Sequence, residues 1–103
     1  MPKPGDVIIT RMQFGDNEES KVRPALVLFE ELDNIIIAGI TTNMQMKGIF
    51  ISTKEGAAQD SIIKINYIFT ITNEAILKTV FHLSPEKSLV FDEISKRLGS
   101  LKI

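Results

Sequence analysis

Apolar and polar positions alternate, or fall into short apolar blocks, along most of the chain, and only the C-terminal segment changes period. Asp6 to Phe14 carries Val7, Ile8, Ile9 and Thr10, then sets Arg11 and Gln13 against Met12 and Phe14. That pattern predicts a strand with one face turned to solvent near its far end. Gly15 to Lys21 is small, polar and charged without periodicity, and reads as a loop. Pro24 to Glu30 and Ile35 to Thr42 are two further apolar runs, separated by Glu31-Leu32-Asp33-Asn34. Two such runs with turn residues between them predict an antiparallel hairpin. Asn43 to Gly48 is a second loop, Ile49 to Thr53 a short strand, and Ser61 to Asn66 a strand that extends through Ile71. Asn73 to Lys78 fits a short helical turn with Asn73 as cap, followed by a short extended piece from Thr79 to Leu83.

After Leu83 the period becomes helical. Ser84 suits an N-cap, Pro85 the first helical position, and Glu86 the first turn, where the helix dipole favours negative charge. Val90, Ile94, Leu98 and Leu101 then recur on one face, with Phe91 beside them, and Gly99 reads as the stop. The expected architecture is therefore mainly β (α+β): five or six short strands closed by one amphipathic helix, in a single domain over residues 1–103.

Composition narrows the chemistry. With no cysteine, disulfides, thiolate catalysis and zinc–thiolate sites fall away, and a single histidine, His82, cannot build a multi-histidine metal centre. Twelve Lys and Arg against thirteen Asp and Glu leave a net charge of −1. A nucleic-acid partner would then have to be held by a local patch rather than by a global field. No run is long enough to span a bilayer, and the first residues lack the apolar segment of a secretory signal, so the expected location is cytoplasmic, with no membrane partner.

The most suggestive stretch is Lys21-Val22-Arg23-Pro24-Ala25-Leu26-Val27-Leu28. Pro24 biases the residue before it toward extended geometry, which carries the Arg23 guanidinium at the mouth of a buried strand. A fixed, permanently charged fork of donors suits phosphate chemistry. The plainer alternative is a strand beginning after a solvated arginine. His82, between Phe81 and Leu83, reads as a structural histidine, and Tyr67 as a half-buried strand tyrosine that could instead stack on a base. Exposed Met44 and Met46 would offer adaptable apolar contacts, or tuck into the core.

Taken in order, Pro4-Gly5-Asp6-Val7, Arg23-Pro24-Ala25-Leu26-Val27-Leu28, Ile40-Thr41-Thr42 and Asp60-Ser61-Ile62-Ile63 resemble the PemK/MazF family of bacterial and archaeal toxins. The resemblance runs from the first strand to the final helix. It implies a small, strongly curved antiparallel sheet, close to a barrel, of the PemK/MazF/CcdB type with short helices. It also implies a homodimer, a cognate antitoxin peptide, and metal-free, cofactor-free cleavage of single-stranded RNA. The family's active-site arginine and threonine fall on Arg23 and Thr41. Substrate-binding candidates follow from the flanking loops: Glu18, Ser20 and Lys21 before Arg23, and Asn43 and Lys47 after Thr41. Thr42 would face the other side of the strand.

Two features depart from the family pattern. The loop before Arg23 is acidic, Asp16-Asn17-Glu18-Glu19, and Glu18 or Glu19 is a candidate base or a partner for Arg23. In the long fifth strand, Asn66 and Phe69 stand where many relatives carry an acid and an arginine. Those changes keep two alternatives open: a binding module of the same fold with weakened or lost catalysis, and a CcdB-like toxin directed at DNA gyrase.

Overall fold

A computed structural model describes residues 2–13, 20–83 and 89–100. Among them, six strands form one curled antiparallel sheet: β1 (Asp6–Gln13), β2 (Ser20–Glu31), β3 (Asn34–Thr41), β4 (Ile49–Ile51), β5 (Ser61–Thr72) and β6 (Ile76–His82), in the order β4-β5-β3-β2-β1-β6. Helix α1 (Leu89–Gly99) closes the chain, and single 3₁₀ turns span Thr53–Glu55 and Asn73–Ala75.

The period of two assigns each strand residue to a face. Val7, Leu26, Leu28, Ala38, Ile40, Ile63 and Ile65 form one apolar layer, on which Val90 of α1 is fully buried. Ile8, Met12, Ala25, Val27, Ile35 and Ile37 form a second layer on the opposite face, flanked by Phe69, Ile71 and Ile76. Both faces of the central strands are therefore covered, which accounts for apolar blocks where a half-exposed sheet would show strict alternation. Thr10, buried in this second layer, satisfies its hydroxyl by donating to the Ala75 carbonyl at 3.0 Å.

The β2–β3 hairpin turns on Leu32 and Asp33, both at positive φ (50° and 67°), as a two-residue loop of the primed kind requires. The Pro4-Gly5-Asp6 motif is a clasp. Gly5, at φ +94°, donates its N–H to Val27 and accepts from Leu83, and a Cβ there would lie 2.8 Å from the His82 ring. His82 in turn donates from Nδ1 to Asp6 Oδ1 at 2.8 Å, in keeping with the structural role read from its neighbours.

Several expected boundaries shift. Strand β2 starts at Ser20, not Pro24, because Ser20 to Arg23 pair with Gln13 to Thr10 on β1, a backbone contact that needs no apolar pattern. The turn expected over residues 73–78 shrinks to Asn73–Ala75 with Thr72 as its N-cap, and β6 begins at Ile76. Register shifts in its pairing with β1 leave Leu77 and Val80 without partners, and these irregularities hide the strand's period. Strand β4 ends at Ile51, since Thr53 has entered the 3₁₀ turn. On α1, Val90 and Ile94 pack inward, but Leu98 is 59% exposed and does not complete the apolar stripe. Phe14, Ser84, Pro85, Glu86 and Leu101 lie outside the described residues.

Candidate active site

Two ladders that part company create the site. On β2, Ala25 is the last residue paired with β3, opposite Gly39, whereas Pro24 and Arg23 pair only with Ile9 and Thr10 of β1. On β3, Ile40 and Thr41 continue with Ile63 and Ile62 of β5 alone. Proline lacks the N–H that a ladder needs, so Pro24 stands where β2 leaves its β3 neighbour. A cleft opens between the diverging ends.

Strand β5 bends at the same level. Ala38 pairs with Ile68 but Gly39 pairs with Lys64, so Ile65, Asn66 and Tyr67 bulge out of the ladder. Such bulges re-aim side chains. Here Lys64, Tyr67 and Phe69 line the cleft together with Met12, Arg23 and Thr41 in a hollow of about 140 Å³. A second, wider hollow of about 360 Å³ adjoins it, lined by Arg23, Pro24, Ile40, Thr41 and Thr42. Against the roughly 300–1,000 Å³ of a typical ligand pocket, the first is a notch and the second gives the room a polymer segment needs.

The polar groups of the cleft are held in place but keep donors for a ligand. Arg23 is exposed and among the described residues makes one long hydrogen bond, from Nη1 to the Val22 carbonyl at 3.4 Å, which leaves most of its five donors unused by them. Thr41 Oγ1 accepts from the Asn43 N–H at 3.1 Å, which occupies a lone pair and leaves the hydroxyl proton available to donate. Lys64 is only 8% exposed, and its ammonium lies 3.4 Å from the centroid of the Tyr67 ring. Two cations, Arg23 and Lys64, and three hydroxyl-bearing residues, Thr41, Thr42 and Tyr67, thus line the two adjoining hollows of one cleft. Its described lining carries no carboxylate and no imidazole. Among the described residues no three of His, Cys, Asp and Glu come together as metal ligands would.

The other sequence candidates divide. Asn43 adjoins the cleft through its bond to Thr41, and its Oδ1 accepts from the Gln45 N–H at 3.0 Å. Lys21 is exposed two residues from Arg23 on the same strand, but lines neither hollow. Lys47 lines a neighbouring hollow rather than this one. Ser20 begins β2 and pairs with Gln13, with its side chain outside the described residues, as are Glu18 and Glu19 altogether. Thr42 lines the wider hollow and also an apolar one of about 230 Å³ with Val7, Ile51 and Phe81. It lies past the end of β3, so strict alternation no longer governs it. Lys64 was missed because a lysine flanked by isoleucines gives no sign that its register opposite Gly39 puts it in the same cleft as Arg23.

Residues 3–101 match the family described as PemK-like, MazF-like toxins of type II toxin–antitoxin systems. The chain belongs to that family. Its fold is similar to the Mycobacterium tuberculosis toxin MazF-mt6, with a TM-score of 0.74 at 20% identity over 95% of this chain and 99% of that one. It is similar too to a mycobacterial endoribonuclease solved in complex with its cognate antitoxin, with a TM-score of 0.71 at 12% identity over the whole of both chains. At such identities the likeness concerns the fold alone. No match was found among curated protein sequences. Among the described residues no helix is long and apolar enough to cross a membrane.

Proposed function

We propose that this PemK/MazF-family toxin is a metal-independent endoribonuclease that cuts single-stranded RNA in the cytoplasm, works as a homodimer, and is restrained by a cognate antitoxin peptide. One observation carries the reading: Arg23, Thr41 and Lys64 line a single cleft where β2 and β3 separate.

In the proposed reaction a ribose 2′-oxygen attacks the adjacent phosphorus and the P–O5′ bond breaks. The 2′-hydroxyl gives up its proton, and the leaving 5′-oxygen gains one, so the products are a 2′,3′-cyclic phosphate and a 5′-hydroxyl. Negative charge builds on the phosphoryl oxygens during attack. Arg23 offers those oxygens a planar fork of charged donors, and fixed donors of this kind are commonly the largest catalytic term. The Thr41 hydroxyl, oriented by the Asn43 N–H, donates to the same phosphate or to the ribose. Lys64 supplies a second positive charge from β5, in a cleft whose wall includes Phe69. Of the loop candidates, Asn43 orients Thr41.

A second reading, an RNA- or protein-binding module without catalysis, is favoured by the lack of a carboxylate or imidazole in the described lining. Incubating the protein with mixed-sequence single-stranded RNA in EDTA separates the two. Fragments with 5′-hydroxyl and cyclic phosphate ends support the nuclease. Retained, uncut RNA supports the module.

A further inference from the structure

Lys64 lines two hollows. Besides the cleft with Arg23, it borders one of about 300 Å³ whose wall includes Met46, Lys47, Gly48, Asn66 and Arg97. We propose that this second hollow is a phosphate subsite, holding a further linkage of a single-stranded RNA whose reacting linkage lies at Arg23. The strand would pass from Arg23, over Lys64, to Lys47 and Arg97. The proposal deepens the nuclease reading and rests on it for the identity of the polymer.

Three cations reach this hollow from three separate parts of the chain: Lys64 from β5, Lys47 from the segment before β4, and Arg97 from the last turn of α1. In a chain of net charge −1 such convergence makes a local positive site with no global field behind it. Gly48 keeps Lys47 in place. A Cβ at that position would run into the Ile63 carbonyl and the Ile62 side chain, so the segment lies flat against β5. Glu93 Oε1 lies 3.6 Å from Arg97 Nε. That is well beyond the roughly 2.7–2.9 Å of a tight charged hydrogen bond. The pair is exposed, and among the described residues no other partner takes the remaining guanidinium donors. Lys64, shared by both walls, links the two hollows.

The test uses a short fluorescent 2′-O-methyl RNA, which lacks the attacking hydroxyl and so reports binding alone. Its affinity is measured across a salt series for the wild type, for Lys47→Ala with Arg97→Ala, and for a control of equal charge loss, Lys54→Ala with Lys78→Ala. The four residues are exposed, so the fold survives in each. The subsite predicts about tenfold or greater weakening for the first pair. It also predicts that the slope of log affinity against log salt falls by up to about 1.4, at about 0.7 per lost phosphate contact. The control pair should change far less. Equal effects from both pairs, no effect from the first, or no binding by the wild type would overturn the subsite. So would capture of a polyglutamate peptide in place of the oligonucleotide. Cleavage of unmodified RNA is scored separately. Cut RNA with an unaffected first pair removes the subsite and leaves the nuclease; a weakened first pair without cutting does the reverse.

Discussion

The Lys64 ammonium lies 3.4 Å from the centroid of the Tyr67 ring, so an almost buried cation is held by an aromatic face. No carboxylate pairs with it among the described residues. The ring's face carries the attraction and the hydroxyl is incidental to it, at about 0.5–2 kcal/mol. Tyr67→Phe should therefore leave the urea midpoint almost unchanged. Tyr67→Ala should lower stability by about 1–2 kcal/mol once lost ring burial is included. Equal losses in both variants would mean that the phenol oxygen, not the face, is the tie.

The Asp6 clasp gives the fold an acid-sensitive component. Burial alone would raise the Asp6 carboxyl, but the hydrogen bond from His82, the N–H of Lys3 on Oδ2 at 3.0 Å, and the positive charges of His82 and Lys3 outweigh it. Its pKa ends below the ordinary value of 3.8. A carboxylate with a depressed folded pKa stabilises above its unfolded value, and that contribution fades as pH falls through the folded pKa. Asp6→Asn should thus cost about 1.5–3 kcal/mol near neutrality. The gap to wild type should narrow in acid below that ordinary value. Denaturant titrations at a series of pH values would read this directly; a gap constant down to acid unfolding would contradict it.

Leu32 is a poor choice for its own conformation. It sits at φ 50° in the β2–β3 turn and is 87% exposed, so it bears left-handed strain and buries almost nothing in return. Leu32→Asn keeps the turn with a residue that tolerates this region. It should raise stability by about 0.5–1 kcal/mol, seen as a higher midpoint with an unchanged denaturant slope.

What could be read from the sequence followed local chemistry. The β2–β3 hairpin was legible from two apolar runs and the residues between them, and α1 from Val90 and Ile94 at helical spacing. Arg23 stood out because Pro24 constrains it, and Thr41 because the ordered motifs resemble a known family. Lys64 was invisible for the opposite reason: its place in the cleft depends on its register opposite Gly39, and its meeting with Tyr67 on the bulge at Ile65, Asn66 and Tyr67, both of which arise only when β3 and β5 pair. The start of β6 was hidden in the same way, by unpaired Leu77 and Val80 that break the period of two. Cross-strand register, not residue type, carried the missing information.

The central claim is that a guanidinium and a hydroxyl on separating strands act on one RNA linkage. Its most direct test is the single-turnover rate of RNA cleavage in EDTA by wild type, Arg23→Ala and Thr41→Val, each shown to be folded. The account predicts a fall of about 100- to 1,000-fold for Arg23→Ala. It predicts a smaller but clear fall for Thr41→Val, with no change in the chemical ends of the residual product. Wild-type cleavage that persists at full rate in Arg23→Ala would contradict it.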